Sequence, residues 1–348
     1  MKDMAKPRER LTIKCDRQIC TARFSPCGKF LVAGGYDASV RRWDMTGEEP
    51  GSLEHINGHH GWVQWLEFQK DGQLLFSVDS WGGLRASTYA GEQCEAVWFH
   101  EQAHEGWIRA LSLSADGKLI ATGGRDRSAR VWSVSDGKRL KEFSDHPHEV
   151  YAVAIHPDGK TVVTGDLFGV LRHWDLESGE RRGETKIDKM HFYERIQDVA
   201  GVRLLRFHGE QTLICAGAEP QRAGRSIAIP TIHWLDWPSL KIKRTAHFGP
   251  EKQGFVFDLA WHPDGYWAVV TSGQPGNGQF LLQRPDEEQP FFVSTKMSNC
   301  HSLDVHPDGR IAVSASNRNS QGNGAVKDKD GNYLGNWSPI HLFDPPAA

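Results

Sequence analysis

The feature that most constrains this chain is a four-residue turn used three times, at His156-Pro157-Asp158-Gly159, His262-Pro263-Asp264-Gly265 and His306-Pro307-Asp308-Gly309, each between two short apolar runs. Glycine supplies the positive φ that closes such a turn. Degenerate copies at Ser25-Pro26-Cys27-Gly28, Lys70-Asp71-Gly72, Ser114-Ala115-Asp116-Gly117 and, weakest, His208-Gly209-Glu210 bring the series to seven. Clear neighbours are 42 to 45 residues apart. Units of that length cannot bury both faces alone, so they must stack on one another.

At 348 residues the chain exceeds the roughly 250 to 300 at which one hydrophobic core stops growing. A repeat architecture escapes the limit because the apolar layer is divided between neighbours and grows with copy number. A single domain over residues 1–348 is therefore predicted, with blades centred on 19–44, 58–88, 104–133, 146–175, 201–236, 255–283 and 299–344.

The third copy is the clearest. Ile108 to Leu113 stops at the Ala115-Asp116-Gly117 turn, Leu119 to Gly123 follows, Arg125 to Arg127 turns the chain, Ala129 to Trp132 is a third strand, and Arg139 to Phe143 a more polar fourth. Four antiparallel strands in each of seven copies is an all-β, seven-bladed propeller. The ends fit this scheme. The last copy finishes at Ile340-His341-Leu342-Phe343-Asp344 without a fourth strand, and the alternating Leu11-Thr12-Ile13-Lys14 precedes the first copy. The N-terminal strand is predicted to complete the last blade and close the ring, which removes the free sheet edges.

With Trp43-Asp44 and Trp174-Asp175 as WD dipeptides and Gly58-His59 as a GH step, the chain resembles the WD-repeat (WD40) family over nearly its whole length. The resemblance implies a tetrad of His, Ser/Thr, Asp and Trp in each well-formed blade. His104, Thr122, Asp126 and Trp132 supply all four in blade three. Blade one has Asp37 and Trp43 but Ala33 at the hydroxyl position. Blade two has His59 and Ser77, with Trp81 at the expected Asp position and Ser87 at the Trp position. Blade four has His146, Thr164 and Trp174, with Phe168 where Asp is expected. These groups read as scaffold, since a polar cluster that satisfies its own bonds needs no substrate.

The resemblance also implies that residues at the start of each first strand ring the mouth of the central channel. Aligned by the turns, they are Gln18 and Cys20, Trp62 and Gln64, Trp107 and Arg109, Glu149 and Tyr151, Gly201 and Arg203, Phe255 and Phe257, Asn299 and His301. Aromatic and arginine side chains are the types from which interface hot spots are drawn. A top-face binding site is therefore predicted from Trp62, Trp107, Arg109, Arg125, Tyr151, Arg203, Phe255, Phe257 and His301. Three long segments, 218–230, 274–278 and 317–339, lie between second and third strands of blades five to seven and are expected to wall one side of that face as loops.

Catalysis finds little footing. No nucleophile-elbow, P-loop or dinucleotide motif is present, and His59-His60 and His146-x-His148 lack zinc-protease spacing. Glu149, Arg109, Arg203 and His301 are the ionisable groups at the strand starts, a thin set for a hydrolase. No catalytic residue, metal or cofactor is expected. The expected function is a non-catalytic scaffold that binds a protein or peptide on its top face. The alternative is a small-molecule or hydrolytic propeller using the channel mouth and the long loops. A net charge of −3 argues against nucleic acid as a partner. No run of about 20 apolar residues argues for a membrane. Six cysteines without paired spacing suit a reducing compartment. A cytoplasmic monomer is the expectation.

Overall fold

The computed structural model describes residues 6–194, 197–222, 227–273, 276–316, 329–331 and 337–346. These form seven antiparallel sheets with only two short 3-10 turns between them. The innermost strands are Ile19–Phe24, Val63–Phe68, Ile108–Leu113, Val150–Ile155, Gln197–His208, Phe255–His262 and Ser298–Val305. Each touches the next, and the seventh touches the first, so the sheets close into a ring.

Blade three shows why these residues make this shape. Its strands are Ile108–Leu113, Leu119–Gly124, Ala129–Ser133 and Arg139–Phe143, within a residue of those read from the sequence. The second strand is almost wholly buried and the fourth mostly exposed, so burial fades outward from the axis. Cores lie between blades. Ala121, Val131 and Phe143 of blade three meet Val150, Val153, Val162 and Trp174 of blade four in one cluster. Neither sheet could bury that face without the other.

The recurrent turn histidines brace neighbouring blades. In each His-Pro-Asp-Gly turn the ring Nδ1 accepts the aspartate N–H, which leaves the proton on Nε2. That Nε2 then donates to a carbonyl in the next blade's turn: His156 to Glu210 (3.0 Å), His262 to Gly309 (2.8 Å) and His306 to Gly28 (2.8 Å). The sequence showed the turn; the reason for histidine in it is this reach across the gap.

Closure follows the expected route. Arg8–Cys15 pairs antiparallel with Ser338–Asp344, with Leu11 opposite Leu342 and Ile13 opposite Ile340. Both apolar side chains pack on a cluster that contains Cys15, Ala312, Ile340 and Leu342.

The structure corrects two tetrads. In blade three Trp132 Nε1–H donates to Thr122 Oγ1 (2.9 Å), whose proton goes to His104 Nε2 (2.7 Å), while His104 Nδ1–H donates to Asp126 Oδ1 (2.9 Å). Burial keeps His104 neutral against the pull of Asp126. Burial alone would raise Asp126, but the bonds from His104 and Ser128 hold it well below the usual carboxylate range. Blade four completes the same cluster with Asp166, not at position 168: His146 reaches Asp166 Oδ2 (3.2 Å) and Thr164 (2.6 Å), and Trp174 reaches Thr164 (2.9 Å). In blade two His59 pairs with Asp79 (2.7 Å) and Ser77 (2.7 Å), so Asp79 takes the role for which position 81 was expected. The carboxylate can hang from the end of the second strand or from the turn two residues later. In blade three the earlier position is Gly124, where a Cβ would collide with His104 Nδ1. The two placements exclude each other.

Blade five departs most. In its described residues the segment 218–230 is not a loop. Its described parts continue the second and third strands, Thr212–Arg222 and Ile227–Asp236, as a paired hairpin with Ala218 opposite Pro230 and Glu219 opposite Ile229. The glycine, arginine and proline content hid an alternation that pairing with a partner strand stabilises. A second hairpin, His191–Glu194 against the start of Gln197–His208, projects from the same blade. Residues 274 and 275 of the blade-six segment, and 317–328 and 332–336 of the blade-seven segment, lie outside the described residues.

Candidate functional site

The channel mouth is built by a repeated irregularity. In blades one to six the pairing of the first two strands slips by one residue near the start of the ladder, after the first pair in blades one to four and after the second in blades five and six, and the unpaired residue is Cys20, Gln64, Arg109, Tyr151, Arg203 or Phe257. In blade seven the slip spans Asn299 to His301. A bulge bends the strand and re-aims a side chain out of the regular alternation. The bulged residues line the upper channel, together with Gln18, Tyr36 and His301, around a cavity of about 220 Å³.

The side chains at the mouth make an unbroken circuit through all seven blades. Tyr36 stacks on Trp62 (ring centroids 4.1 Å, 10° between planes), and Trp62 meets Trp107 edge to face (5.6 Å). The Arg109 guanidinium lies 4.2 Å over Trp107 and 4.8 Å over Tyr151. Arg203 lies 4.8 Å over Tyr151, 4.8 Å over Phe255 and 5.8 Å over Phe257. Phe257 meets His301 edge to face (5.8 Å), and His301 Nε2 is 3.1 Å from Gln18 of blade one, which returns the circuit to its start. Each aromatic and cation–π contact contributes of order 0.5 to 1.5 kcal/mol, so the circuit stiffens the mouth as a unit.

Every residue read from the sequence as a top-face candidate stands in or beside this circuit. Trp62 is 38% exposed, while Phe255 is buried against Ala218 and Ala228 at the base of the blade-five hairpin. Arg125 is an outlier: its side chain is 62% exposed and leans on Glu149 (3.5 Å), which also pairs with Arg109 (3.1 Å). Burial pushes His301 down to about 4, so it is neutral near pH 7. The tetrad tryptophans, by contrast, pack between blades.

Two aromatic residues escaped the sequence reading. Tyr36 carries the backbone N–H that bonds Gln18, as Arg125 bonds Trp107 in blade three and Ser80 bonds Trp62 in blade two. Its place equivalent to Arg125, seen through this bond, was not among the strand-start positions that the alignment used. Trp81, misplaced as a tetrad position, is 66% exposed beside His60 on blade two.

Below the mouth, a buried charged group ties four blades together. Arg23 Nη1 donates to Asp258 Oδ2 (2.8 Å), Ser302 Oγ (2.7 Å) and Leu303 O (3.1 Å), and Asp258 Oδ1 receives Arg206 at 3.4 Å. Asp304 accepts the Phe24 N–H at 2.7 Å. Burial, opposed by Arg23, pushes its carboxyl from 3.8 up to about 6. The folded state therefore holds a proton that the unfolded chain releases between these values. That contribution to stability is full below about pH 4 and falls as pH rises through about 6. Asp304→Asn should gain on the wild type between about pH 4.5 and about pH 7.5 in urea unfolding, by up to roughly 2 kcal/mol. A difference that does not change with pH would show that Asp304 is ionised throughout.

Among the described residues no three His, Cys, Asp or Glu side chains converge so as to hold a metal ion, and no helix is long and apolar enough to cross a membrane. All six cysteines are free.

A ring of seven four-stranded blades, pinned by His, Ser/Thr, Asp and Trp clusters and opening on a circuit of aromatic and arginine side chains, defines a WD-repeat propeller. The family profile described as WD domain, G-beta repeat matches residues 8–44, 93–133, 137–175 and 240–278. Each match begins in the outer strand of one blade and runs into the inner strands of the next. The sequence repeat and the blade are thus staggered by one strand, which is why the last blade needs the first strand.

The chain is 29% identical over 126 residues to ribosomal RNA-processing protein 9 of Saccharomyces cerevisiae, covering 35% of this chain and 21% of that protein. It is 27% identical over 164 residues to nuclear distribution protein PAC1 of Coccidioides posadasii (40% and 34%). It is 31% identical over 107 residues to eukaryotic translation initiation factor 3 subunit I of Neosartorya fischeri (28% and 28%). The matches span about a fifth to a third of the length of these relatives. The chain thus carries WD40 repeats, four of them matched by the family profile.

Proposed function

We propose that this protein is a non-catalytic interaction platform that binds a protein or peptide across the mouth of its channel, and that it works as a cytoplasmic monomer. The observation that carries the reading is the seven-blade circuit, in which rigidly held aromatics stay partly open to solvent: Trp62, and Tyr36 at 40%. Aromatic and arginine anchors held in place before binding lose little freedom on association. The relatives support an assembly role, since one is by name a subunit of a larger factor. A net charge of −3 favours protein over nucleic acid as partner. The ionisable groups of the mouth are turned on one another, Arg109 and Arg125 on Glu149, which suits recognition better than hydrolysis.

The test is an affinity capture comparing the wild type with Trp62→Ala plus Trp107→Ala as baits. Each hot-spot truncation costs about 2 kcal/mol or more, so the double variant should lose its specific partners by well over tenfold, while the three ring contacts it removes lower the melting temperature without unfolding the protein at the temperature of the assay. Recovery of the same proteins by both baits would remove the mouth as the binding surface.

A further inference from the structure

Arg42 and Arg23 are buried, and each has carbonyl or carboxylate partners, although Nη2 of Arg23 has none. Arg42 donates to the carbonyls of Glu54, Tyr89, Gly91 and Glu92. Arg23 pairs with Asp258 at 2.8 Å. Arg203 differs. Tyr151 and Phe255 cover its guanidinium at 4.8 Å each, yet none of its nitrogens has a hydrogen-bond partner among the described residues, and its Nε is fully enclosed. The neighbouring carboxylate, Glu149, is engaged by Arg109 and Arg125. Three guanidiniums therefore face one carboxylate at the mouth of a chain that is acidic overall.

Aromatic faces attract the cation but offer no acceptor in the plane of its N–H groups, so the hydrogen-bonding capacity of Arg203 is left unused. Arg203 stands where the upper cavity of about 220 Å³ meets a lower one of about 280 Å³. A water takes about 30 Å³, so the upper cavity has room for one acidic side chain.

We propose that the mouth takes a single carboxylate side chain, Asp or Glu, from the bound peptide onto Arg203. The inference rests on the platform reading above and names the chemistry of its anchor. A carboxylate fits better than a phosphate because only one cation of the mouth is both partly enclosed and uncompensated; Arg125 lies mostly in solvent and shares Glu149 with Arg109. An internal side chain fits better than a chain terminus because the exposed aromatics Tyr36 and Trp62 stand at the rim on blades one and two, where a passing chain can lie. A chain lying on them presents side chains to the mouth and keeps both ends outside. The pairing would be bidentate and charge-assisted in a water-poor setting.

The probe is a fluorescein-labelled, end-blocked peptide library with randomised flanks and its central position set to Glu, Asp, Gln, Lys or phosphoserine, plus a pool ending in a free carboxylate. Anisotropy is read against the full-length wild type, Arg203→Gln and Trp62→Ala. The Glu and Asp pools should bind at least roughly tenfold more tightly than the Gln and Lys pools, with an affinity that falls as salt rises. Arg203→Gln should erase that preference, and Trp62→Ala should weaken all pools alike. Glu and Gln pools that bind equally, with Trp62→Ala still weakening both, would overturn the acidic anchor and leave the platform standing. A best response from phosphoserine or the free terminus would overturn the choice of a carboxylate side chain. No binding by any pool, or binding untouched by Trp62→Ala, would overturn both readings. The comparison between wild-type pools decides the matter even where a variant fails to fold.

Discussion

Removal of residues 1–14 should lower the melting temperature by roughly 10 °C or more and broaden the transition. Arg8–Cys15 supplies the outer strand of the last blade, in register with Ser338–Asp344 over most of its length. Without it, the ladder groups of Ser338–Asp344 lose their partners, and the cluster around Ile340 and Leu342 loses Leu11 and Ile13. Each lost hydrogen bond costs about 0.5 to 1.5 kcal/mol, and each half-buried Leu or Ile about 1 kcal/mol, so the total is several kcal/mol. The damage should exceed that local sum, because the ring shares its cooperativity among blades and an open edge invites pairing between molecules. Calorimetry with a synthetic peptide of residues 6–17 supplied in trans gives the matching control. It should restore part of the loss, and an unchanged melt on deletion would show that the ring does not need this strand.

Asp258→Ala should destabilise the protein by about 3 to 5 kcal/mol, the cost of leaving a buried cation without its partner. Asp258 is almost fully buried and receives Arg23 from blade one, Arg206 from blade five and the Leu303 N–H from blade seven. One substitution thus strips bonds from three neighbouring blades. The cause is separable from lost packing by a double-mutant cycle in urea unfolding. Arg23→Met should cost less in the Asp258→Ala background than in the wild type, since the charge it removes is by then unpaired. Strict additivity of the two would show that the pair contributes nothing beyond its separate parts.

The arrangement of strands was legible because its signals are local. The turns with Gly28, Gly117, Gly159 and Gly309 at positive φ mark where hairpins close, and the runs between them need only a period of two. The strand bounds of blade three and the closure by Leu11 to Lys14 followed from these alone. The mouth was legible as a list. Alignment on the turns selected Trp62, Arg109, Tyr151, Arg203, Phe257 and His301, and the structure brings them into contact. Misreadings arose where a local pattern had two solutions. The tetrad carboxylates of blades two and four sit two residues earlier than the spacing of blade three suggested, and the described residues of the glycine- and proline-containing segment 218–230 pair as strands.

By itself the sequence determined the number of repeats, the strands within them, the joining of the two ends and the residues that stand at the head of each inner strand. All of these depend on turn chemistry and alternation within about 45 residues. Only the tertiary structure decided where those side chains point and what they meet. The bulge that turns Arg203 into the channel is a property of two paired strands, and the bond from Arg23 to Asp258 joins residues 235 positions apart. Such partners are chosen by closure of the ring. No local pattern carries information about which distant charge will arrive, and among the described residues none bonds Arg203.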